Sequence, residues 1–339
     1  MKQNYSARVL LLIAILVIFI FCGVDQVTGE EPVTLKISLL PYISYAPIFI
    51  ALEEGYFAEQ GLKLEFVEFK QSGLSIPALA RGDLAVSTDS VGSNLFSAIA
   101  RGLEIKVVAD KGHFGDRCTS SAILVRKDLY DSGELTTIEQ LNGRKVALSL
   151  VPVWGYVYEK ILSKGNLTLD DIEVVKVPSA ARITALETGA IDAAGATEPQ
   201  LSQIESLSIA VAIAEYQDFV PNYQASTIIY GPNLLEKKPE LGRKFMIAYL
   251  KGVRQYNKGK TERNLEIIQK HTGLDANILK KICLISFHSD GHVNTESIIA
   301  VQDWAYDKGY IDSKIALDQL IDMSFAEYAN RVLERTESD

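Results

Sequence analysis

Residues 78–84 read ALARGDL, and residues 185–191 read ALETGAI further along the chain. The strand-like segments that precede them, EFVEF at 65–69 and IEVVK at 172–176, align at the same offset, and so do the starts of the strands that follow. A repeat that keeps the order strand, helix, strand predicts two similar units built around separate sheets. The predicted fold class is therefore α/β with two similar α/β lobes.

Strands and helices also alternate on both sides of this repeat. Residues 33–40 read VTLKISLL, a strand that ends at Pro41, and a helical pattern over 46–60 follows it. From Pro239 onward the apolar residues recur at helical spacing. Further strands are predicted at 102–110 and 121–126 for the first lobe, at 146–148 and 207–214 for the second, and at 226–230 for the return of the chain.

The first 22 residues have the pattern of a secretory signal or membrane anchor. Two cations precede an unbroken apolar run at 9–22, which is shorter than the roughly 20 residues that a membrane span needs. Cys22 is a candidate lipidation site, although bulky Phe21 stands where a lipoprotein signal has a small residue. Residues 23–32 read as a polar tether. We therefore expect an extracytoplasmic domain, in the periplasm or on the outer face of the cell membrane, that is tethered or secreted.

Composition limits the classes of function. The chain has 339 residues, enough for two lobes of ordinary size, and a net charge of −9 without a basic run, so nucleic acid is not an expected partner. It has no C-x-x-C motif. Cys118 and Cys283 can either pair in an oxidising compartment or serve as two small buried hydrophobic residues. We favour the second interpretation.

Motifs typical of enzymes are absent from the sequence. It contains no G-x-S-x-G, no phosphate-binding G-x-x-x-x-G-K-[ST], no H-E-x-x-H and no G-x-G-x-x-G. His288 and His292 have a spacing that can hold a metal, but we interpret this segment as a solvated loop between two helices. We therefore expect no catalytic residues, no metal and no cofactor.

The most specific string is residues 39–62, LLPYISYAPIFIALEEGYFAEQGL. It resembles the opening of a family of ABC-transporter substrate-binding proteins that includes nitrate, sulfonate and taurine binders and thiamine-pyrimidine-type binders. Residues 78–83 and 185–192 resemble the repeated helix-to-strand signature of that family, and residues 196–199, ATEP, resemble its second-lobe ligand loop. The resemblance covers roughly residues 33–335.

This resemblance implies a type II periplasmic-binding fold, with two lobes, two crossover segments and a ligand cleft between the lobes. We place the crossovers near Arg126 and Ala225, so that lobe 1 is 33–126 plus 225–339 and lobe 2 is 127–224. The implied function is capture of a small molecule by hinge closure and delivery to a membrane permease with its ATPase, by a monomer.

Two other functional classes stay open. A sensor built on the same lobes would need an output domain, and the chain ends at Asp339 without one. The family also contains a pyrimidine-synthesising enzyme with a cysteine-rich motif, which this sequence lacks. We therefore expect a binding protein and not an enzyme.

Candidate ligand-binding residues are taken from loops next to strands, because ligands of α/β sheets bind beyond the carboxyl ends of the strands. Tyrosines and a tryptophan offer flat faces, serines and threonines offer hydroxyls, and a Ser-Gly pair before a helix offers backbone N–H groups. Packing against the lobe and plain helix capping are the competing interpretations. The candidates are Tyr42, Ser44, Tyr45, Ser72, Gly73, Thr88, Asp89, Ser120, Ser121, Trp154, Gly155 and Glu198.

Two ligand classes compete for this set. A sulfonate or nitrate-type anion needs hydroxyls and preferably an arginine, for which Arg182 is the most suitable residue. A pyrimidine-like heterocycle needs aromatic faces and a carboxylate. This set can be supplied by Tyr42, Tyr45 and Trp154 together with Asp89 and Glu198. We favour the heterocycle, because a buried unpaired carboxylate would repel an anion.

Overall fold

The protein contains two five-stranded mixed β-sheets, seen in a computed structural model that describes residues 31–40, 42–70, 72–115, 118–149 and 152–338. The strands are β1 Val33–Leu39, β2 Leu62–Glu68, β3 Val86–Asp89, β4 Lys106–Asp110, β5 Ser121–Arg126, β6 Lys145–Ala147, β7 Glu173–Val175, β8 Ala193–Thr197, β9 Ala210–Glu215 and β10 Thr227–Tyr230. The first sheet has the order β2-β1-β3-β10-β4, and the second has the order β7-β6-β8-β5-β9.

Both sheets have the same topology. In each, one strand pairs in parallel with two neighbours: β1 with β2 and β3, and β6 with β7 and β8. The fourth strand, β10 or β5, runs antiparallel to the strands beside it. This symmetry confirms the predicted α/β class with two similar halves.

One strand belongs to the other sheet from the one we expected. Ser121–Arg126 forms β5, which pairs with β8 and β9 of the second sheet. The chain has therefore already crossed over before Ser121, and the crossover that we placed near Arg126 is wrong. The apolar pattern of β5 shows that the strand is buried, but it carries no information about which sheet buries it.

Helices cover the sheets. They are α1 Ala46–Glu53, α2 Tyr56–Glu59, α3 Ile76–Arg81, α4 Ser93–Ala100, α5 Lys127–Asp131, α6 Pro152–Leu162, α7 Arg182–Glu187, α8 Gln200–Ser206, α9 Tyr216–Phe219, α10 Pro239–Tyr256, α11 Glu262–Thr272, α12 Ala276–Lys281, α13 Thr295–Asp307, α14 Leu317–Leu320 and α15 Ser324–Ser338. Short 3₁₀ turns lie at Ile43–Tyr45, Glu139–Leu141, Ser163–Gly165, Leu169–Asp171 and Ser179–Ala181, and a π-helical turn lies at Asn233–Lys237.

Helix α10 shows how the predicted C-terminal helices pack. Its buried face includes Leu241, Phe245 and Tyr249, spaced four residues apart, and it packs against α1, α2 and α15. Gly252 allows the close approach to α1, because a Cβ at this position would lie 2.3 Å from the backbone oxygen of Pro47. Helix α13 contacts both α4, which follows β3, and α6, which follows β6.

Two connections join the sheets, at 111–120 after β4 and at 220–226 before β10. They run side by side through backbone hydrogen bonds: Lys111 N–H donates to the Ser226 carbonyl, Ala225 N–H to the Gly112 carbonyl and Phe114 N–H to the Tyr223 carbonyl, each at 3.0 Å. Ala225, near which we placed the second crossover, lies in the second connection.

A disulfide holds the first connection. Cys118 and Cys283 are bonded, with 5.7 Å between their Cα atoms, so the expectation that they are unpaired buried residues is wrong. The bond forms because the first connection passes the loop between α12 and α13, 165 positions later in the sequence.

The predicted signal or anchor segment 1–22, its candidate lipidation site Cys22 and residues 23–30 of the tether lie outside the described residues. In the part of the chain that the structure describes, no helix combines the length and the hydropathy needed to cross a membrane.

Candidate functional site

A cavity of about 760 Å³ opens where the loops of the two sheets meet. Its lining comes from residues after β1, β2 and β3 of the first sheet and after β6, β7 and β8 of the second. The cavity therefore lies at the carboxyl ends of the parallel strands, as expected for a ligand site in α/β sheets. Its volume falls within the range of small-molecule sites.

The structure brings seven of the twelve candidate residues to the cavity wall: Tyr42, Ser44, Ser72, Ser120, Ser121, Trp154 and Glu198. Tyr42 is half exposed at the rim, so its ring is available to a ligand. Trp154 lies in the first turn of α6 and not in a loop before the helix. Its ring centroid is 5.9 Å from that of Tyr216 and 6.1 Å from that of Phe114, and all three rings face the cavity.

Four candidates lie beneath the wall instead. Strand β3 extends to Asp89, so Thr88 and Asp89 are buried strand residues, whereas we expected them in the loop that follows. The buried Tyr45 hydroxyl donates to the Ser38 carbonyl at 3.0 Å and is hydrogen-bonded to Thr88. Gly73 has φ of 85° and donates its N–H to Asp89 Oδ1 at 2.7 Å, so its role is structural.

Both oxygens of the Asp89 carboxylate accept hydrogen bonds from the protein. Besides Gly73, the hydroxyls of Ser72 and Ser75 and the N–H of Ser90 donate to its carboxylate. Burial raises the pKa of this carboxyl, and these donors oppose the rise. Asp89 is 1% exposed and is not part of the cavity lining, so it is not presented to a ligand there.

Gly155 packs between helices. A Cβ at this position would lie 3.0 Å from the edge of the Trp304 ring on α13, so the glycine permits the contact between α6 and α13. Trp304 Nε1 donates to Glu159 Oε2 of α6 at 3.1 Å. Packing explains Gly155 without a ligand.

Glu198 lines the cavity, but both of its carboxylate oxygens already accept hydrogen bonds from the protein. Ser202 donates to it through the backbone N–H at 3.1 Å and through the hydroxyl at 2.7 Å. The Cys283 N–H, beside the disulfide, donates to Oε1 at 3.0 Å. Glu198 therefore ties the loop after β8 to the loop after α12.

The most informative residue in the wall is Arg182, which the sequence pattern indicated only as a candidate cation. It begins α7 and is 4% exposed. Its Nη1 donates to the Gly195 carbonyl at 2.5 Å, Nη2 to Ser149 Oγ at 2.9 Å and Nε to the Val177 carbonyl at 3.3 Å. No described carboxylate pairs with this guanidinium. The wall therefore contains a buried cation without a counter-ion among the described residues.

The described lining is positive overall. It includes Lys70, Lys176 and Arg182, against the single carboxylate of Glu198. The whole chain, in contrast, has a net charge of −9. The sign of the site is thus opposite to that of the molecule, which favours an anionic ligand.

Lys111 is a second buried basic residue, and its burial was not predicted from the sequence. It follows β4, and its Nζ donates to Ser44 Oγ at 2.9 Å. Burial lowers its pKa from 10.5 to about 7, while the nearby carboxylates of Asp89 and Asp110 oppose this change. The residue lies in the first connection, where no local pattern indicates that a lysine is buried.

A cluster of Asp110, His113 and His288 brings possible metal-ligating atoms within 4.8 Å of one another. The rings of His113 and His288 are stacked, however, with centroids 3.7 Å apart and planes inclined by 11°. A metal binds an imidazole nitrogen in the plane of its ring, so two stacked rings cannot both direct a lone pair at one ion.

The Asp110 carboxylate instead holds three segments of the chain together through hydrogen bonds. Its carboxylate accepts from Gly112 N at 2.7 Å, from Gln224 Nε2 at 2.7 Å and from His288 N at 2.8 Å. These donors come from the first connection, the second connection and the loop before α13. His292, which we paired with His288 in the sequence, stacks on it with 3.6 Å between ring centroids.

Comparison with known proteins agrees with this architecture. A family model described as NMT1/THI5 like matches residues 43–258. The chain belongs to the NMT1/THI5 like family. This membership confirms the resemblance drawn from the opening string and the repeated signature.

One relative of this NMT1/THI5 like chain comes from Bacillus subtilis (strain 168) and has the provisional name aliphatic sulfonates-binding protein. The two are 22% identical over 329 residues, which cover 94% of this chain and 96% of the relative.

Solved structures share the fold. The periplasmic aliphatic sulphonate binding protein SsuA from Escherichia coli has a TM-score of 0.69 and 19% identity, covering 86% of this chain and 92% of SsuA. The desulfurization enzyme DSZB has a TM-score of 0.65 and 15% identity, covering 89% of this chain and 99% of DSZB. The same fold therefore occurs in a binding protein and in an enzyme.

Proposed function

We propose that this protein is the extracytoplasmic solute-binding component of an ABC importer, which captures a small organic anion of the sulfonate class. The observation that carries the proposal is Arg182, a buried cation in the cavity wall without a described carboxylate partner. Burying an unpaired charge costs free energy, and an anionic ligand would recover that cost by pairing with it. The relatives with sulfonate-binding names support the same ligand class.

Arg182 has capacity left for a ligand. A guanidinium has five N–H groups, and the three hydrogen bonds to Gly195, Ser149 and Val177 leave two of them. Two N–H groups suit the paired oxygens of a sulfonate, sulfate ester or carboxylate. The protein contacts also fix the guanidinium in place before the ligand arrives, which reduces the entropy lost on binding.

The rest of the ligand would lie against the aromatic part of the wall. Trp154, Phe114 and Tyr216 offer apolar ring surface, while the hydroxyls of Ser120 and Ser121 offer polar contacts at another side. An acidic head group with an apolar or aromatic body matches this combination. A neutral heterocycle has less support, because both carboxylates that we expected to accept from it, Asp89 and Glu198, are already hydrogen-bonded.

Capture would proceed by hinge closure about the two hydrogen-bonded connections. A ligand that contacts loops of both sheets binds the closed arrangement better and shifts the population toward it. The membrane permease, with its ATPase, would recognise the closed monomer. No bond in the ligand is made or broken in this scheme, in contrast to an enzyme on the same fold.

A thermal-shift panel tests the ligand class. The panel contains alkyl and aryl sulfonates, taurine, nitrate, aminopyrimidines and flavins, added to the chain from residue 31 onward. A ligand at 100 times its Kd stabilises the native state by about 2.7 kcal/mol. We expect a shift with sulfonates and unchanged ligand on recovery by mass spectrometry. A shift confined to aminopyrimidines or flavins, or conversion of the ligand, would contradict the proposal.

Charge-removing variants provide the matched comparison. Arg182→Gln should weaken sulfonate binding at least about 100-fold, because it removes the partner of a buried charge. Lys176→Gln, at an exposed position of the lining, should weaken it only a few-fold. Lys164→Gln, on an exposed 3₁₀ turn away from the cavity lining, serves as the control and should leave affinity unchanged. Far-UV circular dichroism checks that each variant is folded.

A further inference from the structure

Lys111 is connected to the cavity through the side chain of Ser44, to which it is hydrogen-bonded. The lysine is 1% exposed, its Nζ donates to Ser44 Oγ at 2.9 Å, and Nζ lies 4.0 Å from the centroid of the Tyr45 ring. Ser44 itself lines the cavity, in the 3₁₀ turn after β1. The buried ammonium therefore lies directly behind a hydroxyl in the cavity wall.

The chemistry of the ammonium fixes the direction of that hydroxyl. A lysine ammonium has three donors and no lone pair, so Ser44 Oγ must be the acceptor in this hydrogen bond. The hydrogen of Ser44 then points away from Lys111. Among the described residues, Ser44 Oγ has no second partner, so its hydrogen is available to a group in the cavity.

We propose that Ser44, oriented by Lys111, is an anion-binding donor of the first sheet, complementary to Arg182 on the second. Ser44 would donate to an oxygen of the acidic head group, and Lys111 would act as a positioning residue that keeps the hydroxyl in its donating direction. The proposal rests on the proposed function, because it requires an anionic ligand. It assigns selectivity for charged over neutral ligands to this pair.

Two carboxylates lie close enough to Lys111 to act on its charge. Asp89 and Asp110 are the carboxylates that act on it, and neither forms an ion pair with Nζ. Each is instead held by other donors, Asp89 by Gly73 and Ser75 and Asp110 by Gly112 and Gln224. Tyr45, whose ring lies 4.0 Å from Nζ, has a pKa raised by burial to about 12 and stays neutral in the working range.

A double-mutant cycle tests the pair. Calorimetry would measure Kd for propanesulfonate and for methyl propyl sulfone, a neutral analogue, with the wild type, Ser44→Ala, Lys111→Met and the double variant. We expect each single variant to weaken sulfonate binding about tenfold, as for one hydrogen bond to a charged group, and sulfone binding less than threefold. Because Lys111 acts through Ser44, the double variant should match the single variants and not the roughly 100-fold product.

The outcomes separate this inference from the proposed function. A wild type that binds no sulfonate would refute the proposed function itself. A wild type that binds, with Ser44→Ala within twofold of it, would overturn the role of Ser44. Multiplicative effects in the double variant would overturn the positioning role of Lys111. Lys164→Met serves as the surface control.

A pH profile tests the pair even if Lys111→Met does not fold. Wild-type affinity for the sulfonate should fall as pH rises from 6 to 8.5, because the ammonium loses its proton near pH 7. Neutral Lys111 can accept a hydrogen bond and would release the fixed direction of Ser44. Ser44→Ala should show a clearly smaller fall, and equal profiles would contradict the proposal.

Discussion

Two buried basic residues, Arg182 and Lys111, are the basis of the proposal about what the cavity binds. Neither is neutralised by a direct ion pair with a described carboxylate, and each is held by neutral oxygen acceptors. Proteins rarely bury such charges unless they are paired or functional. A buried basic residue beside the cavity, with no paired carboxylate among the described residues, is therefore the strongest indication that the ligand is an anion.

The titration of Lys111 gives a prediction at this scale. Its pKa is about 7 in the folded state and 10.5 ordinarily, so between these values the unfolded chain binds more protons. The free energy of unfolding therefore rises with pH in this window, and Lys111 contributes no slope below about pH 7. Relative to Lys111→Met, the wild type should gain up to about 1.4 kcal/mol per pH unit between pH 7.5 and 9.5.

Urea unfolding at several pH values measures this difference. Lys164→Met, which removes an exposed lysine, should show no such slope relative to the wild type. A constant difference between the wild type and Lys111→Met across the window would mean that Lys111 titrates normally and is hydrated.

Sequence reasoning found the polar residues of the wall better than the cations. Ser44, Ser120 and Trp154 were found because the carboxyl ends of strands, and the loops beside them, converge in α/β folds. Asp89 was expected in the loop after its strand, but the strand extends to it. Arg182 and Lys111 were not among the candidate site residues, because isolated basic residues in short helices and loops are most often exposed, and their burial depends on tertiary packing.

At the scale of elements, the two connections link the sheets, and the proposed hinge closure would take place about them; the disulfide holds the first of them. Cys118 lies in the first connection, and Cys283 lies in the wall of the cavity beside its contact to Glu198. The sequence could not decide the pairing, because it depends on the distance between two segments that are far apart in the chain. The same limit explains why β5 was assigned to the wrong sheet. Its sheet depends on where the chain passes from the first sheet to the second, which no local pattern shows.

Removing the disulfide should destabilise the fold. The bond closes a long loop, so the double variant Cys118→Ala/Cys283→Ala should lose about 2–5 kcal/mol of unfolding free energy while keeping its α/β circular dichroism spectrum. Urea unfolding with and without dithiothreitol checks this. Reductant should lower the midpoint of the wild type and leave the variant unchanged. Equal midpoints for the two proteins without reductant would show that the bond does not form in solution.

At the scale of the whole molecule, an internal duplication explains why the fold was predictable. Two copies of the same strand–helix–strand order produced two sheets of the same topology, β2-β1-β3 and β7-β6-β8, each completed by an antiparallel strand. A disulfide is typical of oxidising compartments and supports the extracytoplasmic location that we propose. The ligand was not predictable, since it depends on which charges are buried and free.

The central claim is that the cavity binds one organic anion through Arg182. Calorimetric titration of the chain from residue 31 onward with butanesulfonate tests it most directly. We predict saturable heat with a stoichiometry of about one ligand per chain and its loss in Arg182→Gln, with Lys164→Gln unchanged. Absence of saturable heat for sulfonates, sulfate esters and carboxylates alike, or full binding by folded Arg182→Gln, would contradict the account.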